Sequence, residues 1–188
     1  TSMNAKKSDK SGPFSRFISE RANQISPSGI RKFFDLLMSM DDVISLGVGE
    51  PDYATPWHIS EAAVKSLERG LTMYTSNSGI LELREETARY MNGKYGVEYE
   101  PAGEILITVG VSEAMDLTMR AIINPGDEVI MPEPYYVAYP SCVILAGGTP
   151  VLVSTRQEDG FEIDPVEIER RITPRTKAIF LGYPSNPT

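Results

Sequence analysis

Between residues 104 and 181, short apolar runs alternate with segments of helical length. The apolar runs are Glu104–Val109, Glu128–Met131, Pro150–Val153 and Ala178–Leu181. The segments with helical character between them are Ser112–Ile123, Tyr135–Ala146 and Pro165–Ile172. Continuously apolar strands that are separated by helices are typical of a parallel sheet with both faces covered. The pattern therefore predicts an α/β fold in which a mostly parallel sheet is sandwiched by helices.

The apolar pattern of the first hundred residues predicts mainly helices. Helical periodicity covers Phe14–Ile25, Gly29–Met40, Thr55–Gly70 and Gly79–Tyr95. Ser28 suits the N-cap of the second helix, and Gly96 suits the end of the last. A short apolar stretch, Val43–Leu46, follows the second helix, and residues 1–13 have the Ser and Lys content of a flexible tail.

The composition argues against several classes of protein. The chain has a formal net charge of -8, with one histidine, His58, and one cysteine, Cys142. One residue of each type argues against a zinc site and against a Ser-His or Cys-His nucleophile pair, and His58 is expected on a helix surface. No apolar run approaches the ~20 residues that span a bilayer, and the acidic body of the chain repels nucleic acid. Because the sequence shows no signal peptide and no disulfide partner for Cys142, we expect a cytoplasmic protein. From the charge, the apolar runs and the His and Cys content, we expect no binding of nucleic acid, membrane or metal.

Ligands of an open parallel sheet bind beyond the carboxyl ends of its strands, which directs attention to three loops. The first is the turn at Gly110, where the N–H groups of Val111, Ser112 and Glu113 at the start of the helix and the Ser112 hydroxyl can hold a phosphate. The alternative is an ordinary turn from strand to helix with Ser112 as its cap. The chain contains neither G-x-G-x-x-G nor a Walker A pattern, so a dinucleotide or nucleoside triphosphate is not favoured.

The second and third loops offer an aromatic surface and an amide. Pro132–Tyr136 carries two tyrosines, on one of which a planar ligand can stack, although packing at a domain boundary is an alternative explanation. Asn186 precedes Pro187 and can both donate and accept hydrogen bonds, although Asn-Pro is also an ordinary turn signal.

Five motifs acquire meaning from their order and spacing. They are Leu46–Asp52, Tyr74–Gly79 followed by Leu83-Arg84, Thr108–Ala114, Pro134–Pro140 and Asn186–Thr188. Together they resemble the amino-terminal half of the class I and II aminotransferases, which are pyridoxal 5'-phosphate (PLP) enzymes of fold type I. The resemblance covers residues 14–188 and implies an aspartate aminotransferase-like fold that is incomplete in this chain.

The resemblance implies roles for two groups of residues that contact the phosphate of PLP. Gly110, Val111 and Ser112 match the turn whose N–H groups hold that phosphate. Tyr74 matches a tyrosine that reaches the phosphate of the neighbouring subunit, which implies a homodimer with shared active sites.

Three further residues match positions near the cofactor ring and the substrate. Tyr136 matches the aromatic residue stacked on the pyridine ring, and Asn186 matches the amide that hydrogen-bonds the phenolic oxygen. Gly49 matches the glycine whose backbone meets the substrate α-carboxylate, and Tyr136 and Asn186 also border the substrate. In this family the peptide bonds before Pro134 and Pro187 are often cis.

The implied activity is the transfer of an amino group from an L-amino acid to a 2-oxo acid in amino-acid metabolism. The implied domains are a tail over residues 1–13, a helical arm or small-domain segment over 14–50, and the first part of the large cofactor-binding domain over 51–188. The resemblance implies a catalytic Schiff-base lysine beyond Thr188. Lys65, Lys94 and Lys177 fall on helix surfaces or in a turn and match none of the family's catalytic roles. The alternatives are another PLP reaction (β-lyase, decarboxylase or synthase) or a non-catalytic protein on the same scaffold.

Overall fold

A computed structural model describes residues 15–26, 29, 44, 49 and 51–187. In chain order its α-helices are α1 (Glu20–Gln24), α2 (Trp57–Glu68), α3 (Leu81–Tyr95), α4 (Gly110–Ile122), α5 (Ala138–Ala146) and α6 (Pro165–Glu169). Its strands are β1 (Glu128–Glu133), β2 (Thr149–Ser154) and β3 (Thr176–Ile179), and two 3-10 turns lie at Ser15–Phe17 and Gln157–Asp159. No helix in this described part of the chain is long and apolar enough to cross a membrane.

The chain divides into two units, one of residues 1–28 and 110–188 and the other of residues 29–109. The predictions for residues 1–13, Gly29–Met40 and Val43–Leu46 fall outside the described residues, apart from Gly29 and Ile44. The division into a tail, an arm and a large domain therefore stays a prediction.

The first unit is built on a three-stranded sheet in the order β2-β1-β3, and both pairings are parallel. The central strand is the most deeply buried element, since Val129, Ile130 and Met131 are all 0% exposed. Val129 and Met131 lie on one face of β1 in a cluster completed by α4 and α5 residues, namely Met115, Met119, Cys142 and Val143. Ile130 points to the opposite face by strand alternation, so both faces are covered at the centre of β1. The predicted parallel α/β sheet is confirmed.

Most predicted elements of this unit are present with shifted ends. The helix predicted over Tyr135–Ala146 starts at Ala138, and it ends as expected because Gly147 adopts a left-handed conformation with φ of 99°. The strand predicted at Ala178–Leu181 lies two residues earlier, because Glu128 N–H donates to Arg175 O and Phe180 N–H donates to Ile130 O. Lys177, which was expected in a turn, consequently lies in β3.

Three predictions of secondary structure were wrong in part or in whole. Glu104–Val109 forms no strand, since the sheet seen among the described residues contains β1, β2 and β3, and the Ile107 N–H donates to Ser78 O instead. The helix predicted over Phe14–Ile25 is interrupted because the Ser19 side chain accepts the Ala22 N–H and starts α1. The helix predicted over Pro165–Ile172 ends at Glu169.

Two helices of the second unit follow the sequence prediction closely. Helix α2 begins after Pro56, and His58 lies on its exposed surface as expected. Helix α3 ends at Tyr95 because Gly96 adopts a left-handed conformation with φ of 68° and donates its N–H to Asn92 O.

A buried carboxylate joins the amino ends of β1 and β3. The side chain of Glu128 accepts a hydrogen bond from the Thr173 hydroxyl at 2.6 Å and from Arg175 Nε at 2.9 Å. The Glu128 side chain is 8% exposed. The Thr173 hydroxyl and then the Arg175 guanidinium hold the pKa of Glu128 below its ordinary value of 4.5.

This contact makes folding stability depend on pH in acid. Because the pKa of Glu128 is lowered in the folded state, its contribution is fully present above 4.5 and is lost as the pH falls through the lowered pKa. We expect the thermal midpoint of Glu128→Gln to fall less steeply than wild type between about pH 5 and about pH 3. Glu98→Gln, on an exposed side chain, serves as the control, and parallel pH profiles for wild type and Glu128→Gln would refute the linkage.

Candidate active site

A cavity of about 470 Å³ lies at the carboxyl end of the sheet. It is enclosed by the loops that follow β1, β2 and β3. Its lining consists of Pro132, Glu133, Pro134, Tyr135, Tyr139, Thr155, Gly160, Phe161, Ile163, Phe180, Gly182, Tyr183, Pro184, Ser185 and Asn186. Two of the three loops singled out in the sequence therefore meet at one place, as expected for an open parallel sheet.

Hydrogen bonds tie the ends of β1 and β2 together at the mouth of this cavity. The Ser154 hydroxyl donates to Glu133 Oε1 at 2.6 Å. The Glu133 carbonyl accepts two bonds from Thr155, one from the hydroxyl at 2.8 Å and one from the N–H at 3.1 Å. The cavity wall therefore has a fixed backbone where the chain leaves β1. The peptide bond between Glu133 and Pro134 is cis, as expected.

Aromatic rings form one wall of the cavity. Tyr139 and Phe180 lie with their ring centroids 4.7 Å apart, and both pack against the core cluster. Tyr136 makes an edge contact with Tyr139 at 5.6 Å but is itself 36% exposed and is not among the lining residues. Tyr135, its neighbour, lines the cavity instead. The structure thus places the predicted stacking residue one ring away from the cavity.

The loop after β2 contributes a wall that the sequence analysis did not identify. Gly160 and Phe161 both have left-handed backbone conformations, with φ of 64° and 59°. The Phe161 N–H donates to Arg156 O at 2.8 Å, which closes the loop on itself. Positive φ is uncommon for an aromatic residue, and here it accompanies a ring on the cavity wall. The signal available in the sequence was the Asp159-Gly160 turn that precedes Phe161.

The loop after β3 places Asn186 in the lining together with its neighbours from Gly182 onward. The peptide bond between Asn186 and Pro187 is cis, as expected, and so is that between Tyr183 and Pro184. An amide side chain in a wall that is otherwise largely aromatic and prolyl supplies both a donor and an acceptor.

The turn at Gly110 opens α4, the helix that precedes β1 in the chain. A tight turn at Asn124–Asp127, closed by the Asp127 N–H to Asn124 O at 3.0 Å, reverses the chain between α4 and β1. The thirteen residues of α4 and the six of β1 each span about 20 Å, so we expect the start of α4 to come near the level of the end of β1 if the two run antiparallel. Gly110 has φ of 76° with open space around it, which favours glycine through backbone conformation alone. Val111 and Ser112 follow it as exposed residues and are not among those lining the cavity.

The remaining site predictions concern the other unit and the lysines. Gly49 and Tyr74 belong to the unit of residues 29–109, where both are exposed. Lys65 forms an ion pair with Glu61 at 3.0 Å on α2, and Lys94 donates to the Tyr90 hydroxyl at 2.7 Å on α3. Within the described ranges, no group of His, Cys, Asp and Glu side chains could hold a metal ion.

Comparison with known proteins gives consistent matches. A family model described as aminotransferase class I and II matches residues 41–188. The chain is 52% identical over 172 residues to YugH of Bacillus subtilis (strain 168), which is described as an aminotransferase by inference. That match covers 92% of this chain and 45% of YugH. It is 43% identical to aromatic-amino-acid aminotransferase 2 of Thermococcus litoralis, over 91% of this chain and 44% of that protein.

Solved structures agree with these matches. The aspartate aminotransferase of Thermus thermophilus with maleate superimposes with a TM-score of 0.84 at 42% identity. That match covers 91% of this chain and 46% of the solved chain. The chain therefore spans about half the length of the relatives it matches.

Proposed function

The chain belongs to the class I and II aminotransferases, and on that premise we propose that it forms the amino-terminal half of a PLP-dependent enzyme that transfers an amino group from an L-amino acid to a 2-oxo acid. Its α/β fold is that of the aspartate aminotransferases, which are fold type I. The relatives named as aminotransferases of aspartate and of aromatic amino acids support this reaction class.

One observation carries the proposal: Asn186 lines a cavity that also has several aromatic residues in its wall, at the carboxyl end of a parallel sheet. A flat pyridine ring with a phenolic oxygen fits these residues, because the rings offer apolar contact and the amide can donate to that oxygen. When bound, PLP supplies an electron sink for the bonds at the α-carbon of the amino acid. Asn186 would stabilise negative charge on the phenolic oxygen, and the aromatic residues of the wall would contact the faces or edges of the ring.

The start of α4 fits the phosphate of the same cofactor. The left-handed Gly110 turns the chain into the helix, so that the N–H groups of Val111 and Ser112 stand at its positive end together with the Ser112 hydroxyl. These groups are donors, as a phosphate requires. We assign phosphate binding to Gly110, Val111 and Ser112.

The proposal extends to residues outside the cavity lining. Tyr136, whose edge contacts Tyr139, stacks on the cofactor ring after a small reorientation of its exposed side chain. Gly49 meets the substrate α-carboxylate through its backbone, where the absence of a side chain leaves room. Tyr74 donates to the phosphate of the neighbouring subunit in a homodimer.

The catalytic lysine is assigned to the part of the protein that corresponds to the remaining half of the relatives. Lys65 and Lys94 are engaged on the surfaces of α2 and α3, which supports this assignment. Residues 51–188 then supply the first part of the cofactor-binding domain, and residues 14–50 supply an arm or small-domain segment. We place the enzyme in amino-acid metabolism and in the cytoplasm, whose reducing conditions suit a lone cysteine.

The test uses the intact gene product purified with PLP. We expect the visible absorbance band of protein-bound cofactor, and amino transfer to a 2-oxo acid from at least one member of a panel of aspartate, aromatic and aliphatic amino acids. Analysis of all products separates amino transfer from β-elimination and decarboxylation. A protein that binds no cofactor would overturn the proposal, and one that releases ammonia or carbon dioxide without forming a new amino acid would overturn the reaction.

A further inference from the structure

The loop that carries Tyr74 is joined to the segment that leads into Gly110 by a close backbone contact. The Ile107 N–H donates to Ser78 O at 3.0 Å. Gly79 beside it has φ of 92°, and a Cβ placed there would lie 2.7 Å from both Cβ and Cγ1 of Ile107. No side chain fits that gap without moving one of the two segments. We call this contact, with the Arg84 contact described next, the 79–107 junction.

Arg84 forms the second part of the junction. Its side chain is 93% buried (7% exposed), and its Nη1 donates to Pro101 O at 3.1 Å and to Ala102 O at 2.9 Å. Its Nε has no hydrogen-bond partner among the described residues. Burying a guanidinium costs free energy unless its N–H groups are hydrogen-bonded. The two carbonyl bonds of Nη1 offset part of that cost, so the position of Arg84 is coupled to the Pro101–Ala102 backbone.

The loop held by Arg84 is itself fixed. The Glu100 carboxylate accepts the Ala102 N–H at 2.9 Å, and the Glu104 carboxylate accepts the Glu100 N–H at 2.8 Å. Residue 104 then starts the segment of residues 104–109, which passes Gly79 at Ile107 and continues directly into Gly110. The junction therefore holds the loop that follows Tyr74 against this segment.

We propose that the 79–107 junction positions the groups that bind phosphate. Within the unit of residues 29–109, it holds the loop that follows Tyr74 against the segment that ends at Val109, the residue before Gly110. This inference rests on the proposed function, in which Tyr74 and the turn at Gly110 hold phosphates in the two active sites of a dimer. A displacement at Gly79 is then expected to move both Tyr74 and the residues that lead into the Gly110 turn, and so to weaken phosphate binding. Gly79 and Arg84 are positioning residues, since neither contacts the cofactor.

The test compares PLP with pyridoxal, which has the same ring and lacks the phosphate. Dissociation constants are measured by absorbance titration of the apoprotein of the intact gene product. We expect Gly79→Ala to raise the dissociation constant for PLP about tenfold, which is about 1.4 kcal/mol, and that for pyridoxal by less than about twofold. Arg84→Met is expected to act in the same direction, and Arg84→Lys is expected to restore most of the PLP affinity because it keeps a donor toward the two carbonyls.

Gly96→Ala is the matched control, because Gly96 also has positive φ, at 68°, but has open space where a Cβ would be added. We expect it to leave both dissociation constants within about twofold of wild type. The thermal midpoint of each apoprotein shows whether it is folded, and Arg84→Met carries the comparison if Gly79→Ala does not fold.

The outcomes separate this inference from the proposed function. If the variants keep the wild-type ratio of the dissociation constants for PLP and pyridoxal, whether both constants rise equally or neither changes, the junction does not position the phosphate-binding groups. The enzyme assignment would then remain intact. A wild-type protein that binds neither compound would overturn the proposed function and this inference with it.

Discussion

Replacement of Asn186 with alanine is expected to lower kcat/KM for amino transfer about 10- to 100-fold, since a hydrogen bond to a charged oxygen contributes about 1.5–3 kcal/mol. Asn186 lies in the cavity lining at the carboxyl end of the sheet, and the proposed function assigns its amide to the phenolic oxygen of the bound ring. The measurement is steady-state kinetics of the intact gene product with its best substrate pair.

A spectroscopic titration makes the same prediction more specific. An amide that donates to the phenolic oxygen stabilises its deprotonated form, so Asn186→Ala should raise the pKa of the absorbance change of the bound cofactor. Asn92→Ala, on the exposed surface of α3, is the control and should leave both the kinetics and the titration unchanged. An unchanged pKa in Asn186→Ala would show that the amide does not contact the oxygen, even if activity falls.

Replacement of Met131 with alanine is expected to lower the free energy of unfolding by about 2–5 kcal/mol, because it leaves a cavity in the most buried strand. Met131 is 0% exposed and belongs to the cluster shared by β1, α4 and α5. The measurement is urea denaturation of the intact gene product, followed by circular dichroism.

Met131→Leu is the matched control for this prediction. It conserves volume and should cost less than about 1.5 kcal/mol. Equal stability of the alanine and leucine variants would contradict the placement of this cluster at the centre of the unit.

The parallel sheet could be predicted because its signal is local. Val129–Met131 and Pro150–Val153 are continuously apolar, and burial on both faces of a strand favours that pattern. The pairing of strands depends on distant parts of the chain. Glu104–Val109 has an equally apolar pattern, yet its Ile107 N–H bonds to Ser78 O, and nothing within the segment indicates that partner.

The candidate site divides in the same way. Asn186 could be identified from its motif, because its neighbouring residues in the sequence carry the information. Phe161 and Glu133 could not, since they join the cavity through the closure of the loop after β2 and through the Ser154 hydroxyl, which are contacts made only in the folded chain. Tyr136 was identified by its motif but lies beside the lining, where Tyr135 stands instead.

Glu128 and Glu133, the first and last residues of β1, show how one strand can separate residues that stabilise the fold from residues that contact a ligand. Glu128, at the amino end, is committed to Thr173 and Arg175, whereas Glu133, about 17 Å away, faces the cavity. Substitutions near the first alter how firmly the sheet is held and leave the ligand surface in place. Substitutions near the second reshape the ligand surface, and a change of Glu133 itself also removes its hydrogen bond with Ser154 but leaves the Glu128 contact in place. A protein built this way can change its ligand surface while it keeps the Glu128 contact that stabilises the sheet. The residues for ligand contact and for that stabilising contact lie at opposite ends of the same six-residue strand.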